Sequence, residues 1–165
     1  GHALSYDVVD LGYNYRIDEP RAALLSARLP GLEADIAARR ALVHRYREAL
    51  RDVPGLELPY RDEDVDLSSC YVMPVLLEDP ALQEPLRRLM LSRWGVQTSL
   101  LYPALHEFTA LRDLNSDLPR SERVARTEIT LPLFPHLSSQ DQDRVIEALT
   151  ESLRELGAPA RARQA

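Results

Sequence analysis

Lysine is absent from the 165 residues, and all 20 basic side chains are arginines. No side chain here can form a Schiff base with an aldehyde cofactor or a keto substrate, because that chemistry needs a lysine amine. Cysteine is nearly absent as well. Cys70 stands alone, which excludes an internal disulfide and a paired-thiol zinc site, and it reads as a small buried apolar residue on a strand. The six glycines lie far apart, whereas the dinucleotide fingerprint and the P-loop need theirs clustered so that backbone amides can wrap a phosphate. A basic excess is also missing. Twenty-six acidic side chains against 20 basic ones leave a net charge of −6, so no nucleic acid partner is expected. The apolar run at 70–77 is far shorter than the roughly 20 residues of a membrane helix, so no membrane span is expected. The single cysteine fits a cytoplasmic location, and a start at Gly1 with no charged-then-apolar leader makes a cut start the expectation.

Hydrophobic residues at 45% and charged residues at 28% fit one soluble domain with a real core. Residues 4–17 read as a loop, and Asp18 and Pro20 then offer the cap and the first turn of a helix over 22–29 that stops or kinks at Pro30–Gly31. Leu32, Ile36, Val43, Tyr46, Leu50 and Val53 make one apolar stripe, which predicts a long helix over 32–53 with Arg39, Arg40, Arg47 and Glu48 off the stripe. Strands are expected at 56–58, at 70–77 and at 96–101. Pro74 confines the second of these to a sheet edge or breaks it there. The next helix starts at Pro80 or at Pro85. The second is favoured, because a proline inside a helix costs about 3 kcal/mol, and Gly95 supplies the stop. Short helices are expected over 104–112 and 120–128, and LPLFP at 131–135 is too proline-rich for a central strand. Ser138 or Ser139 caps a last helix with Val145, Ile146, Leu149, Leu153 and Leu156 on one face, and 157–165 reads as a disordered tail. Helices alternating with short strands give an α+β class.

The carriers of chemistry are few. His2, His44, His106 and His136 are scattered with no i, i+4 pair, so the helical zinc pattern is missing and no metal site is expected. His44 reads as part of a solvated helix face. His106, in irregular sequence just past Tyr102–Pro103, is open to a functional role as well as a structural one. Asp62, Glu63, Asp64 and Asp66 crowd one stretch but lack calcium-loop spacing, and they read as a solvated connection. Gly12-Tyr13-Asn14-Tyr15-Arg16 is the most informative cluster. It offers donors to an anion and flat rings to a ligand just before a helix N-terminus, and it reads equally as a tight turn that packs two tyrosines.

GYNYRIDEPRAALLSARL, then LEADIAARRALVHRYREAL, CYVMPVLL, WGVQTSLLYPALH and LPLFPHLSSQDQDRVIEAL follow in order from Asp7 to Leu156. In that order they resemble the C-terminal portion of the DegT/DnrJ/StrS sugar aminotransferases, which depend on pyridoxal phosphate (PLP) and have the fold-type-I aminotransferase fold. The resemblance implies a small C-terminal domain over 1–156, with 1–17 as a leading loop, a small antiparallel sheet with helices packed on it, and a long linking helix. It implies a chemistry that moves an amino group, usually from glutamate, to a keto sugar on a nucleotide. The lysine that holds PLP would lie in a large N-terminal domain outside this sequence, so this chain alone carries no catalytic residue. The resemblance implies further that Asn14 reaches the cofactor phosphate of a dimer partner, with Arg16 as a second phosphate contact, and that Tyr13, Tyr102 and His106 face the substrate. Leu101 stands where a histidine is usual in this family, which removes one polar contact near the sugar. The partners implied are the large domain, a second copy in a homodimer, the sugar nucleotide and the amino donor. A free-standing, non-catalytic module that pairs with a full-length aminotransferase is the other reading.

Overall fold

Asp18 and Pro20 begin the first helix where the sequence places it. In the computed structural model, which describes residues 7–157 except Leu11, Asn14, Asn115, Ser116 and the side chains of Arg112 and Leu114, helix α1 spans Glu19–Arg28. The Asp18 carboxylate accepts from the Arg21 amide at 2.9 Å and satisfies one of the free donors of the first turn. A 3₁₀ turn over Leu29–Gly31 accommodates Pro30, and α2 follows over Leu32–Leu50. Helix α1 buries none of its residues, and Leu24, Leu25 and the adjoining Leu29 are all mostly exposed.

The stripe of α2 is buried only from its middle onward, at Val43, Tyr46 and Leu50. Arg47 departs from the solvent-facing position expected of it, with 8% of its surface exposed. Its Nε donates to Asp62 Oδ1 at 2.6 Å, and its Nη1 and Nη2 donate to the Pro59 and Tyr60 carbonyls at 2.8 and 2.9 Å. Three acceptors around one planar fork are what allow a guanidinium to be buried. They also give shape to the expected polar connection, within which Asp62–Val65 forms the short helix α3. Arg47 holds the Asp62 carboxyl below the usual carboxylate range by its hydrogen bond, and Arg61 does the same for Asp64.

Strands β1 (Leu56–Glu57), β2 (Met73–Leu77) and β3 (Glu128–Leu131) form one antiparallel sheet in the order β1-β2-β3. Strand β3 is an addition to the sequence reading, because the helix expected through 128 ends at Thr127 (α5, Pro119–Thr127). Strand β2 lies in the middle, yet Pro74 keeps the edge condition locally. Its partner Thr130 directs both backbone groups away from β2, to Ser99, so Pro74 lies at a non-hydrogen-bonded position and its nitrogen points toward β1. Strand β1 reaches only Leu76, so no ladder bond is lost there.

Alternation along the strands sorts the two faces. Met73, Val75, Leu77, Ile129 and Leu131 share the face that joins the hydrophobic core. Against them pack α2, α4 (Gln83–Trp94) and α6 (Ser139–Glu155), through Tyr46, Leu86, Met90, Val145, Leu149 and Leu153. The opposite face carries Leu76, Glu128 and Thr130, with α5 against β2. Helix α4 begins between the two expected starts. Asp79 caps a 3₁₀ turn over Pro80–Leu82, and Pro85 then falls in the first helical turn, where its missing N–H has no intrahelical partner to lose. Gly95 closes α4 at φ +64°, and Ser138 caps α6 by accepting from the Asp141 amide. Gln142, fully buried, donates to the Leu42 carbonyl at 2.7 Å and accepts from Arg45, stitching α6 to α2.

Candidate functional site

The leading segment is tied to one place in the fold. Asp7 accepts from the Thr109 amide at 2.9 Å and from its hydroxyl at 2.6 Å, and the Ala110 amide donates to the Val8 carbonyl at 2.7 Å. The partners lie at the start of a 3₁₀ stretch, Thr109–Leu114, which follows a 3₁₀ turn over Leu105–Glu107 anchored by the buried Phe108. These bonds hold residues 7 and 8 against 109 and 110. Tyr13 is 85% exposed, and Tyr15 and Arg16 are exposed with it. Asn14 lies outside the described residues. Tyr102 is 64% exposed, on an extended stretch between the sheet and the first of these turns.

His106 is placed differently, with its ring largely buried. Its Nε2 lies 3.1 Å from Glu122 Oε1 on α5, and its Nδ1 is buried without a hydrogen-bond partner among the described residues. Arg126, one turn further along α5, bridges Glu122 at 3.5 Å and Glu107 at 3.0 Å. The histidine thus fastens its own segment to α5.

Glu128 is the functional candidate that the sequence reading missed. Only 3% of it is exposed. One carboxylate oxygen accepts from the Leu101 amide at 3.0 Å and the other from the Thr130 hydroxyl at 2.5 Å. Burial pushes its carboxyl above the usual range, against the pull of these two donors and of Arg87. The polar–apolar alternation Glu128-Ile129-Thr130-Leu131 is the signal that marks a half-buried strand and could have found it. Cys70 has a structural place. It lies ahead of β2 and not on a strand: buried at φ +48°, its amide donates to the Ser68 hydroxyl oxygen at 3.0 Å, and its Sγ faces the Val65 carbonyl.

Two cavities of about 280 Å³ each flank the exposed Tyr71. One opens among Gln97, Ser99, Thr130 and Pro132, and the other reaches from Arg47 and Cys70 to Leu101. Neither offers an amine, and the donors of Arg47 are committed to Asp62, Pro59 and Tyr60. The residues of this chain therefore do not fit PLP as a covalently held group. Among the described residues no group of three or more His, Cys, Asp or Glu is placed to hold a metal ion. The acidic stretch is engaged instead by Arg47, Arg51, Arg61 and His44.

Relatives set this geometry in context. A dTDP-3-amino-3,4,6-trideoxy-alpha-D-glucose transaminase of Micromonospora megalomicea subsp. nigra is 35% identical over 148 residues, covering 85% of this chain and 38% of that protein. The crystal structure of DesV from S. venezuelae in complex with a ketimine intermediate is 34% identical, with a TM-score of 0.73 over 85% of this chain and 38% of its own. NtdA of Bacillus subtilis, solved with bound cofactor PMP, shares the fold at 24% identity, with a TM-score of 0.72 over 92% of this chain and 36% of its own. The chain thus spans less than two fifths of the length of each of these proteins. The chain's α+β arrangement, a three-stranded antiparallel sheet with helices packed on it, is that of the fold-type-I aminotransferases. Residues 2–150 match the DegT/DnrJ/EryC1/StrS aminotransferase family, and the chain belongs to that family.

Proposed function

We propose that the protein is a PLP-dependent aminotransferase that moves an amino group from an amino acid, glutamate, to a keto sugar carried on a nucleotide. In this reading the chain is the C-terminal small domain, residues 1–156, with 1–17 as the loop that joins it to a large domain. The observation that carries the reading is the family match over residues 2–150, together with a 35% identical relative described as a transaminase of a dTDP-linked amino sugar. PLP, when bound, supplies the electron sink that lets an amino group leave one carbon and join another. With no lysine in these residues, the covalent hold on the cofactor and the amine that moves the proton belong to the large domain.

The residues of this chain have smaller parts. Asn14 and Arg16 reach across a homodimer to the cofactor phosphate in the partner's site, where the guanidinium offers a charged fork to the anion. Tyr13 and Tyr102 present rings and hydroxyls to the sugar nucleotide, and His106, buried against Glu122, holds the segment that carries Tyr102. A cytoplasmic location goes with nucleotide-sugar chemistry.

The test is made on the complete open reading frame with PLP, glutamate and a set of dTDP-linked keto sugars. Formation of 2-oxoglutarate and an amino sugar is expected, and no transfer to any of the sugars refutes the activity. Asn14→Ala and Arg16→Ala should each weaken cofactor binding by about tenfold, as loss of a charge-assisted contact does. Unchanged cofactor affinity in both refutes their assignment. The absence of lysine also fits a free-standing module that lends Asn14 in trans. Activity restored when this chain is mixed with a full-length relative lacking its own asparagine would favour the module.

A further inference from the structure

The stretch 96–101 reads as a strand, but it meets the sheet at a single bridge. Ser99 and Thr130 exchange both backbone bonds, at 3.1 and 2.8 Å. In an antiparallel ladder the next hydrogen-bonded pair is then Leu101 with Glu128. That pair does not close through the main chain. The Glu128 carbonyl is taken by Gln83 Nε2 at 2.7 Å, from the first turn of α4. The Leu101 amide donates to the Glu128 side chain instead. A buried carboxylate has taken the place of the ladder carbonyl, and the chain leaves the sheet at that point. It is re-fastened five residues later, where His106 meets Glu122 on α5. Exposed Tyr102 lies between the two fastenings.

Packing alone does not call for a carboxylate at Glu128. Burying one is unfavourable unless its oxygens are bonded, and a branched apolar side chain would fill the same volume without that cost. Arg87, whose side chain is largely buried, faces this group from α4 and offsets part of its charge. What Glu128 adds over an apolar residue is a directed acceptor for the Leu101 amide. Glu122 does the same at the far end, and Arg126 holds Glu122 in place.

We infer that Glu128 and Glu122 are positioning residues that hold the two ends of the Leu101–His106 segment and so fix where Tyr102 is presented. The functional consequence rests on the proposed reading of Tyr102 as a substrate contact, and the geometry does not. The test follows the Leu101 amide proton and the Glu128 carboxyl carbon of the 165-residue chain by NMR while the pH is varied. One shared midpoint is expected, and a Leu101 amide that stays flat while Glu128 titrates overturns the inference. Hydrogen exchange adds a second arm, with the Thr130 amide as internal reference. Glu128→Gln keeps an acceptor and should keep Leu101 protected, whereas Glu128→Ala should speed exchange at Leu101 by about tenfold or more with Thr130 unchanged. If Glu128→Ala does not fold, the titration and the glutamine variant decide alone. In the complete protein, Glu128→Ala should raise KM for the sugar nucleotide more than it lowers kcat, with rescue by glutamine. Coupled titration together with an unaltered KM in Tyr102→Ala would leave the positioning intact and sink the substrate reading.

Discussion

Replacing Arg47 by methionine should destabilise the domain far more than its place on a helix rich in arginine suggests. The substitution keeps an apolar stem of similar length and removes the three donors that bind Asp62, Pro59 and Tyr60. A hydrogen bond from a charged group contributes about 1.5–3 kcal/mol in mutational series, and bonds from one guanidinium do not add. Asp62 is half exposed and keeps Arg51 at 2.8 Å, and Tyr60 is open to water, so part of the loss is recovered by solvent. The net cost is about 2–4 kcal/mol, which lowers Tm by about 4–16 °C in a domain of this size. Urea denaturation at neutral pH, compared with Arg88→Met, measures it. Arg88 pairs with Glu84 on the surface, and its loss should cost less than about 0.5 kcal/mol. Equal midpoints for the two variants would refute the buried-guanidinium account.

Three further outcomes are expected. Because folding raises the Glu128 pKa, its contribution to stability is fully present below the ordinary glutamate value of 4.5 and is lost as pH rises through the higher folded value. Glu128→Gln should therefore gain on the parent protein in urea midpoint as pH rises above about 4.5, and a difference that does not vary with pH contradicts this. Gly95→Ala should cost about 1 kcal/mol, since φ is +64° and the new Cβ meets only the flexible Arg144 end at 3.3 Å. A melting curve unchanged by that substitution would mean the turn relaxes. Finally, treating the chain with PLP and borohydride should leave an adduct only on the N-terminal amine, and mass spectrometry finding one on any side chain would overturn the lysine argument.

Much of the fold was legible because its signals are local. The Asp18 and Ser138 caps, the stop at Gly95 and the α2 stripe each depend on a few neighbouring residues. Strand β3 was hidden because it begins without a turn directly after α5 and ends against the first proline of LPLFP. The stretch 96–101 has the composition of a strand. Whether it joins the sheet depends on Gln83 and Glu128, 18 and 27 residues from Leu101, and no local pattern records that. Arg47 shows the same limit. Its helical position marks it as surface, and only the loop folded back over it makes it core.

Of the candidate site, the structure adds that Tyr13, Arg16 and Tyr102 are exposed, and that Asp7, ahead of the first of them, is bonded to Thr109. The position of His106 depends on Glu122 in another helix and could not be read from the motif that contains it.

The central claim, that this chain is the small domain of an aminotransferase whose lysine lies elsewhere in the same protein, is tested most directly by reading the coding DNA upstream of the Gly1 codon. The account expects an open frame, in phase, that encodes a large domain with a lysine cofactor site. A start codon beside Gly1 with no such frame upstream would contradict it, leaving a free-standing domain whose partner must be sought.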